Sequence, residues 1–68
     1  MIVVLNGKGR ELPDDATVAD AVSAAGVNGE TRGVAVAVDG EVVRRSDWTN
    51  TALSERQSVE VVRAVQGG

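Results

Sequence analysis

A chain of 68 residues holds one small domain, and at about 60 residues only about 60% of the unfolded surface is buried on folding. With no cysteine and no histidine, disulfides, thiolate metal sites and histidine-based acid–base or nucleophilic catalysis are excluded. Ten acids against seven bases give a formal charge of −3, which argues against a nucleic-acid partner, and no apolar run approaches the roughly 20 residues that span a bilayer.

The core must be aliphatic. Trp48 is the only aromatic residue, and fourteen valines supply a side chain whose branched Cβ favours strands. Met1 to Leu5 is apolar but too short for a signal h-region; without an export signal the expected compartment is the cytoplasm. Asn6-Gly7 bounds this run and is a strong hairpin signal. Apolarity on both faces predicts a central strand, covered on each side or lying under a partner on one. The turn is read as continuing through Lys8-Gly9, with Arg10-Glu11-Leu12 as the return strand and Leu12 inward. Pro13, which cannot donate to a ladder, closes it.

Thr17 reads as a helix N-cap with Asp20 at the third helical position, a variant of the capping box. Val18, Ala21, Val22 and Ala25 form one apolar stripe at i, i+3, i+4 and i+7, and Gly26 is placed to end the helix in a left-handed cap. A helix of about ten residues is shorter than the roughly 12–15 that are marginal in isolation, so it must pack on the sheet. Val27 to Arg32 reads as a loop around Asn28-Gly29.

In Val34-Ala35-Val36-Ala37-Val38, period two places three valines on one face and two alanines on the other. The valines are assigned to the core. Asp39-Gly40 is a second hairpin turn and Glu41-Val42-Val43 its short partner strand. Arg44 to Leu53 reads as irregular with room for one helical turn. Arg44-Arg45 is read as a solvated turn, the alternative being contact with an acidic partner or phosphate. Trp48 is read as a half-buried lid or else an interface anchor, and Leu53 as a core plug. Ser54-Glu55-Arg56-Gln57 turns the chain into the last strand.

This order predicts an α+β plan, a mixed sheet of four to five strands packed on one helix. The first and last strands are the most apolar, and side by side at the sheet centre they would run parallel. Residues 1–64 form the domain and 65–68 a flexible C-terminal tail. No catalytic constellation is present: Ser23, Ser46, Ser54 and Ser58 have no histidine to activate them. Gly7-x-Gly9 follows a strand but leads into no helix, so it is not a phosphate loop.

Two features point outward. Ile2, Val4, Ala35, Ala37, Val62 and Ala64 are expected on the outer sheet face, where an apolar patch marks a docking surface unless long neighbouring side chains cover it. The last strand finishes as Val65-Gln66-Gly67-Gly68. Two glycines make a tip with no Cβ atoms, ending in a carboxylate whose pKa of roughly 3.3–3.7 keeps it ionised near neutrality. Val65, Gln66 and Gly67 are expected to thread a narrow tunnel in a partner and to present Gly68 there for chemistry.

Together these pieces resemble the β-grasp, or ubiquitin-like, fold with a Gly-Gly tail, and more narrowly the ThiS family of sulfur carriers in thiamine biosynthesis. The matching segments are Asn6-Gly7, Thr17-Val18, Gly33 to Val43, Arg45-Ser46-Asp47-Trp48 and Val59 to Gly68. The resemblance implies a protein co-substrate and not an enzyme. A ubiquitin-activating-like adenylating enzyme would convert the Gly68 carboxylate to an acyl-adenylate. Sulfur from a cysteine desulfurase persulfide would then displace AMP and leave a thiocarboxylate, which would deliver sulfur to thiazole synthase. ATP and magnesium would belong to the adenylating partner, with no cofactor or metal bound by this chain, and neither nucleic acid nor membrane is an expected partner.

The chain departs from the family pattern in two places. Arg44 stands where proline is usual, and Arg56-Gln57 stands where Gly-Asp is usual. A non-glycine residue forced into the left-handed region costs on the order of 1 kcal/mol, which predicts a rebuilt last turn. The competing readings are the small subunit of molybdopterin synthase, a protein-conjugating modifier, and an interaction module with an inert tail. The first usually runs longer, with aromatic and proline residues before Gly-Gly. For the second, Lys8 would be the only site of self-linkage.

Overall fold

The computed structural model describes residues 1–29 and 31–63. Two tight hairpins, one parallel pairing and one longer antiparallel pairing build its sheet. Strands β1 (Ile2–Leu5) and β2 (Lys8–Glu11) are joined by two residues. Asn6 has φ 50° and Gly7 φ 82°, both positive as a type I′ turn requires, and that turn matches the twist of the strands it joins. The return strand therefore begins at Lys8 and not at Arg10, because the tight turn already sets Lys8 opposite Leu5. Leu12 follows β2, buried, its N–H donating to the Met1 carbonyl at 2.8 Å.

The same turn recurs at Asp39 (φ 49°) and Gly40 (φ 86°), between β3 (Val34–Val38) and β4 (Glu41–Val43). The last strand, β5, spans Ser58–Arg63. The strand order is β2-β1-β5-β3-β4. β1 and β5 pair in parallel, and every other neighbouring pair is antiparallel. The first and last strands are thus adjacent and parallel near the centre, as expected, although β3 (VAVAV) and not β5 (SVEVVR) is the more apolar of the central strands.

Helix α1 covers Val18–Ala24, seven residues instead of about ten. Its C-terminal end closes at the expected cap, where Gly26, at φ 92°, starts a Schellman turn. The Gly26 N–H donates to Ser23 O at 3.0 Å and the Val27 N–H to Val22 O at 3.2 Å, using carbonyls a longer helix would have bonded itself. At the other end the Thr17 N–H donates to Asp20 Oδ2 at 2.8 Å and the Thr17 hydroxyl to the same oxygen at 3.3 Å. The free N–H groups of the first turn find partners in the crossing segment: Val18 donates to Thr51 O and Ala19 to Trp48 O, each at 3.0 Å. The short helix is therefore held at its N-terminal end by tertiary contacts that substitute for the missing turns.

The helix packs Val18, Ala21 and Val22 against Val3, Leu5, Val36 and Val59 of the sheet, and Leu12, Val27 and Leu53 close the edges. Val34 and Val38 pack on this core from a half-buried position, so all three β3 valines face inward. Trp48 corrects the expectation of a half-buried lid. It is 5% exposed because the 3₁₀ turn at Arg45–Asp47 folds the chain back over the core. Its indole N–H donates to Val43 O at 3.0 Å, which satisfies the single polar atom of a buried ring.

The parallel pairing between β1 and β5 is short, with Val4 opposite Ser58 and Leu5 opposite Val59. Flanking groups lengthen it. The Arg56 N–H donates to Ile2 O at 2.6 Å and the Asn6 N–H to Val59 O at 2.9 Å. Beyond that, the Val61 N–H finds Asn6 Oδ1 at 2.8 Å. The Asn6 side chain supplies the next acceptor of a ladder whose backbone has already turned away.

The last turn is not rebuilt. Arg56 itself takes φ 65°, and Gln57 braces it: Gln57 Oε1 accepts from the Ser54 N–H at 2.7 Å, and Nε2 donates to Asp39 Oδ2 at 3.2 Å.

Two substitutions test these placements by urea denaturation. Asn6→Gly keeps the turn but removes the acceptor for Val61, and should cost about 1 kcal/mol. Asn6→Asp, which keeps an acceptor, should retain most of that. Arg56→Gly relieves the left-handed backbone at some cost in unfolded-state entropy and should stabilise by about 0.5 kcal/mol. A destabilised Arg56→Gly would show that the arginine side chain makes a contribution larger than the strain.

Candidate functional site

With the core on one face of the sheet, every second residue of β3, β4 and β5 projects from the other. Ala35 and Ala37 leave this face with the outward residues of β5, and register sets Ala35 beside Val62 and Ala37 between Glu60 and Val42. These residues and Val36 line a shallow groove of about 140 Å³. Its floor is low because an alanine methyl is all that stands between the valines on either side. Val42 is 78% and Val62 59% exposed, unusual for residues that would gain from burial.

Of the expected outer-face residues, Ala35, Ala37 and Val62 are brought together. Ile2 and Val4 are on the same face but elsewhere. Val4 is flanked by Gly9 and Ser58, and Ile2 lies opposite Glu11. Because Val4 meets β5 at Ser58, it is offset from Val62 by about 13 Å along the strand direction. The outer face therefore carries two apolar regions where one continuous patch was expected.

Val42 is a groove residue that sequence reasoning missed. In a three-residue strand the alternation has no phase of its own. Only the pairing of Val43 with Val36, a core valine, sends Val42 outward. Glu60 was missed for a related reason: a glutamate in an apolar strand reads as a solvated position, and its setting is visible only once β3 and β4 are placed beside it.

Among the described residues Glu60 is the one charged side chain lining the groove, and no ion pair among them engages its carboxylate. Arg44 and Arg45 are exposed, and Arg45 Nη1 donates to Thr31 Oγ1 at 2.8 Å, consistent with a solvated turn. The Met1 ammonium has its pKa raised, chiefly by its hydrogen bond to Asp14 at 2.9 Å, and lies at the far end of β1 from the groove. Among the described residues no group of three or more acids is placed to hold a metal ion. No helix among them is long and apolar enough to cross a membrane.

Ala64, Val65, Gln66, Gly67 and Gly68 lie outside the described residues. β5 ends at Arg63, one residue past Val62, so the groove sits at the end of the strand from which those residues continue.

The ThiS family model matches residues 3–68. The crystal structure of a thiamine biosynthesis protein (ThiS) from Geobacter metallireducens is similar over 100% of both chains, with 27% identity and a TM-score of 0.78. No curated protein matches the chain. A mixed five-strand sheet on a single short helix, superposing on that structure from end to end, is the β-grasp fold. The chain belongs to the ThiS family of small sulfur-carrier proteins.

Proposed function

We propose that this protein carries sulfur for thiazole formation in thiamine biosynthesis, as a thiocarboxylate on Gly68, and that it is a co-substrate of other enzymes and no enzyme itself. The observation that carries this reading is the family match, which runs through Gly67 and Gly68 to residue 68. The similarity to a thiamine biosynthesis protein favours this pathway over molybdopterin synthesis.

The chemistry requires activation because a carboxylate is a poor electrophile. An adenylating enzyme of the ubiquitin-activating type, holding ATP and magnesium, joins a Gly68 carboxylate oxygen to the α-phosphorus and releases pyrophosphate. The terminal sulfur of a cysteine desulfurase persulfide attacks the carbonyl carbon, and AMP leaves with the C–O bond electrons. A thiol then cleaves the resulting S–S bond, supplying two electrons and leaving the thiocarboxylate. Thiazole synthase takes the sulfur, and an oxygen from water replaces it at the carbonyl carbon as the C–S bond breaks, returning the carboxylate.

In this scheme Val65, Gln66 and Gly67 thread the partner's active site. Ala35, Ala37 and Val62 dock it, together with Ala64, while Ile2 and Val4 form a second contact region. The narrow tip matters because the carbonyl carbon must be reached by ATP and by a persulfide in turn, and glycine offers no side chain to block either approach. In this reading the reaction runs in the cytoplasm.

Intact-mass spectrometry tests the proposal. Incubation with the adenylating enzyme, ATP and a persulfide source should yield the mass of one oxygen exchanged for sulfur. Deleting Gly68, or adding one residue after it, should abolish the exchange and leave the circular dichroism spectrum unchanged. Sulfur uptake by the shortened chain would contradict the assignment, and lysine-linked adducts in its place would identify a conjugating modifier.

A further inference from the structure

Glu60 has no structural task among the described residues. It is exposed on the central strand β5, its cross-strand neighbour is Ala37, and Val42 stands one strand further on. An unpaired carboxylate in the wall of an apolar groove is unfavourable as soon as a partner covers it, because the charge loses water without gaining a counter-ion. Any surface seated on Ala35, Ala37 and Val62 covers Glu60 as well.

We propose that the groove receives a single arginine side chain of the adenylating partner, with Glu60 as the carboxylate that pairs its guanidinium and makes docking specific. This rests on the docking role proposed above for the outer face. The dimensions favour one side chain: about 140 Å³ is well below the roughly 300–1,000 Å³ of small-molecule pockets. The lining favours arginine over lysine. The exposed walls at Val42 and Val62 and the flat floor at Ala35 and Ala37 suit a planar, weakly hydrated guanidinium, whose edge pairs a carboxylate through two parallel N–H···O bonds. The aliphatic stem of the arginine would cover the apolar walls. Arginine is also enriched among the residues that dominate interface energetics.

The test uses the full chain and its adenylating enzyme, with affinity measured by titration calorimetry at low and high salt. Glu60→Gln keeps the shape and removes the charge. Ala37→Trp fills the groove. Thermal melts establish that each variant is folded, and Glu60→Ala is a second charge-removing variant. Glu60→Gln should bind about 30-fold more weakly or worse, with a shallower salt dependence than the wild type, and Ala37→Trp should lose binding.

If Glu60→Gln and Glu60→Ala bind as tightly as the wild type while Ala37→Trp does not, the face docks but the ion pair does not exist. That result overturns this inference and leaves the docking role standing. If all three bind like the wild type, the outer face is not where the partner sits, and the docking role fails with it.

Discussion

The pairing of β1 with β5 holds the fold together, and it is a demanding contact to make. Its two strands are separated by most of the chain, so closing that loop costs entropy that only non-local contacts repay. The ladder itself contributes two residue pairs. The rest is assembled from outside it: the Arg56 N–H at the start, and the Asn6 side chain where β1 has already turned. Behind the pairing, Val3, Leu5 and Val59 are all buried against the helix, so hydrogen bonding and apolar burial reinforce one another at the same place.

The peripheral features follow from that centre. β2 is carried by a two-residue turn and needs no core of its own, which is why all four of its residues are exposed. The helix can stop after seven residues because Thr51 and Trp48 carbonyls serve its first turn and the Schellman turn serves its last. β3 and β4 extend the sheet on the other side of β5. Their small outward residues produce the groove beside the end of the strand that leads to residues 64–68. The sheet thus sets a fixed distance between the groove and the end of β5, which is what the proposed positioning of the Gly68 carboxylate would require.

What could be read from the sequence was what local chemistry determines. Asn6-Gly7 and Asp39-Gly40 form their turns because two consecutive positive φ angles suit these residue pairs. Thr17 and Asp20 cap each other across one helical turn. Valine and alanine alternate in β3 with a period that leaves no choice of face. The failures are all non-local. The return strand starts at Lys8 because the cross-strand register, and not composition, sets its beginning. Trp48 is buried because the crossing segment folds over the core. Arg56 tolerates a left-handed backbone because Gln57 reaches both Ser54 and Asp39. Val42 and Glu60 join the groove, and Ile2 and Val4 lie away from it, through strand order and register. In β1, β3 and β5 alternation told which face each residue occupies but not where on that face it lies.

The account's central claim is that the carboxylate of Gly68 is the reacting group and the folded domain its handle. ATP–pyrophosphate exchange by the adenylating enzyme tests this most directly, because isotope returns to ATP only when an acyl-adenylate forms and reverses. The chain with a free Gly68 carboxylate should support exchange, and the same folded chain prepared as its C-terminal amide should support none. Equal exchange with the amidated chain would place the reaction elsewhere and contradict the claim.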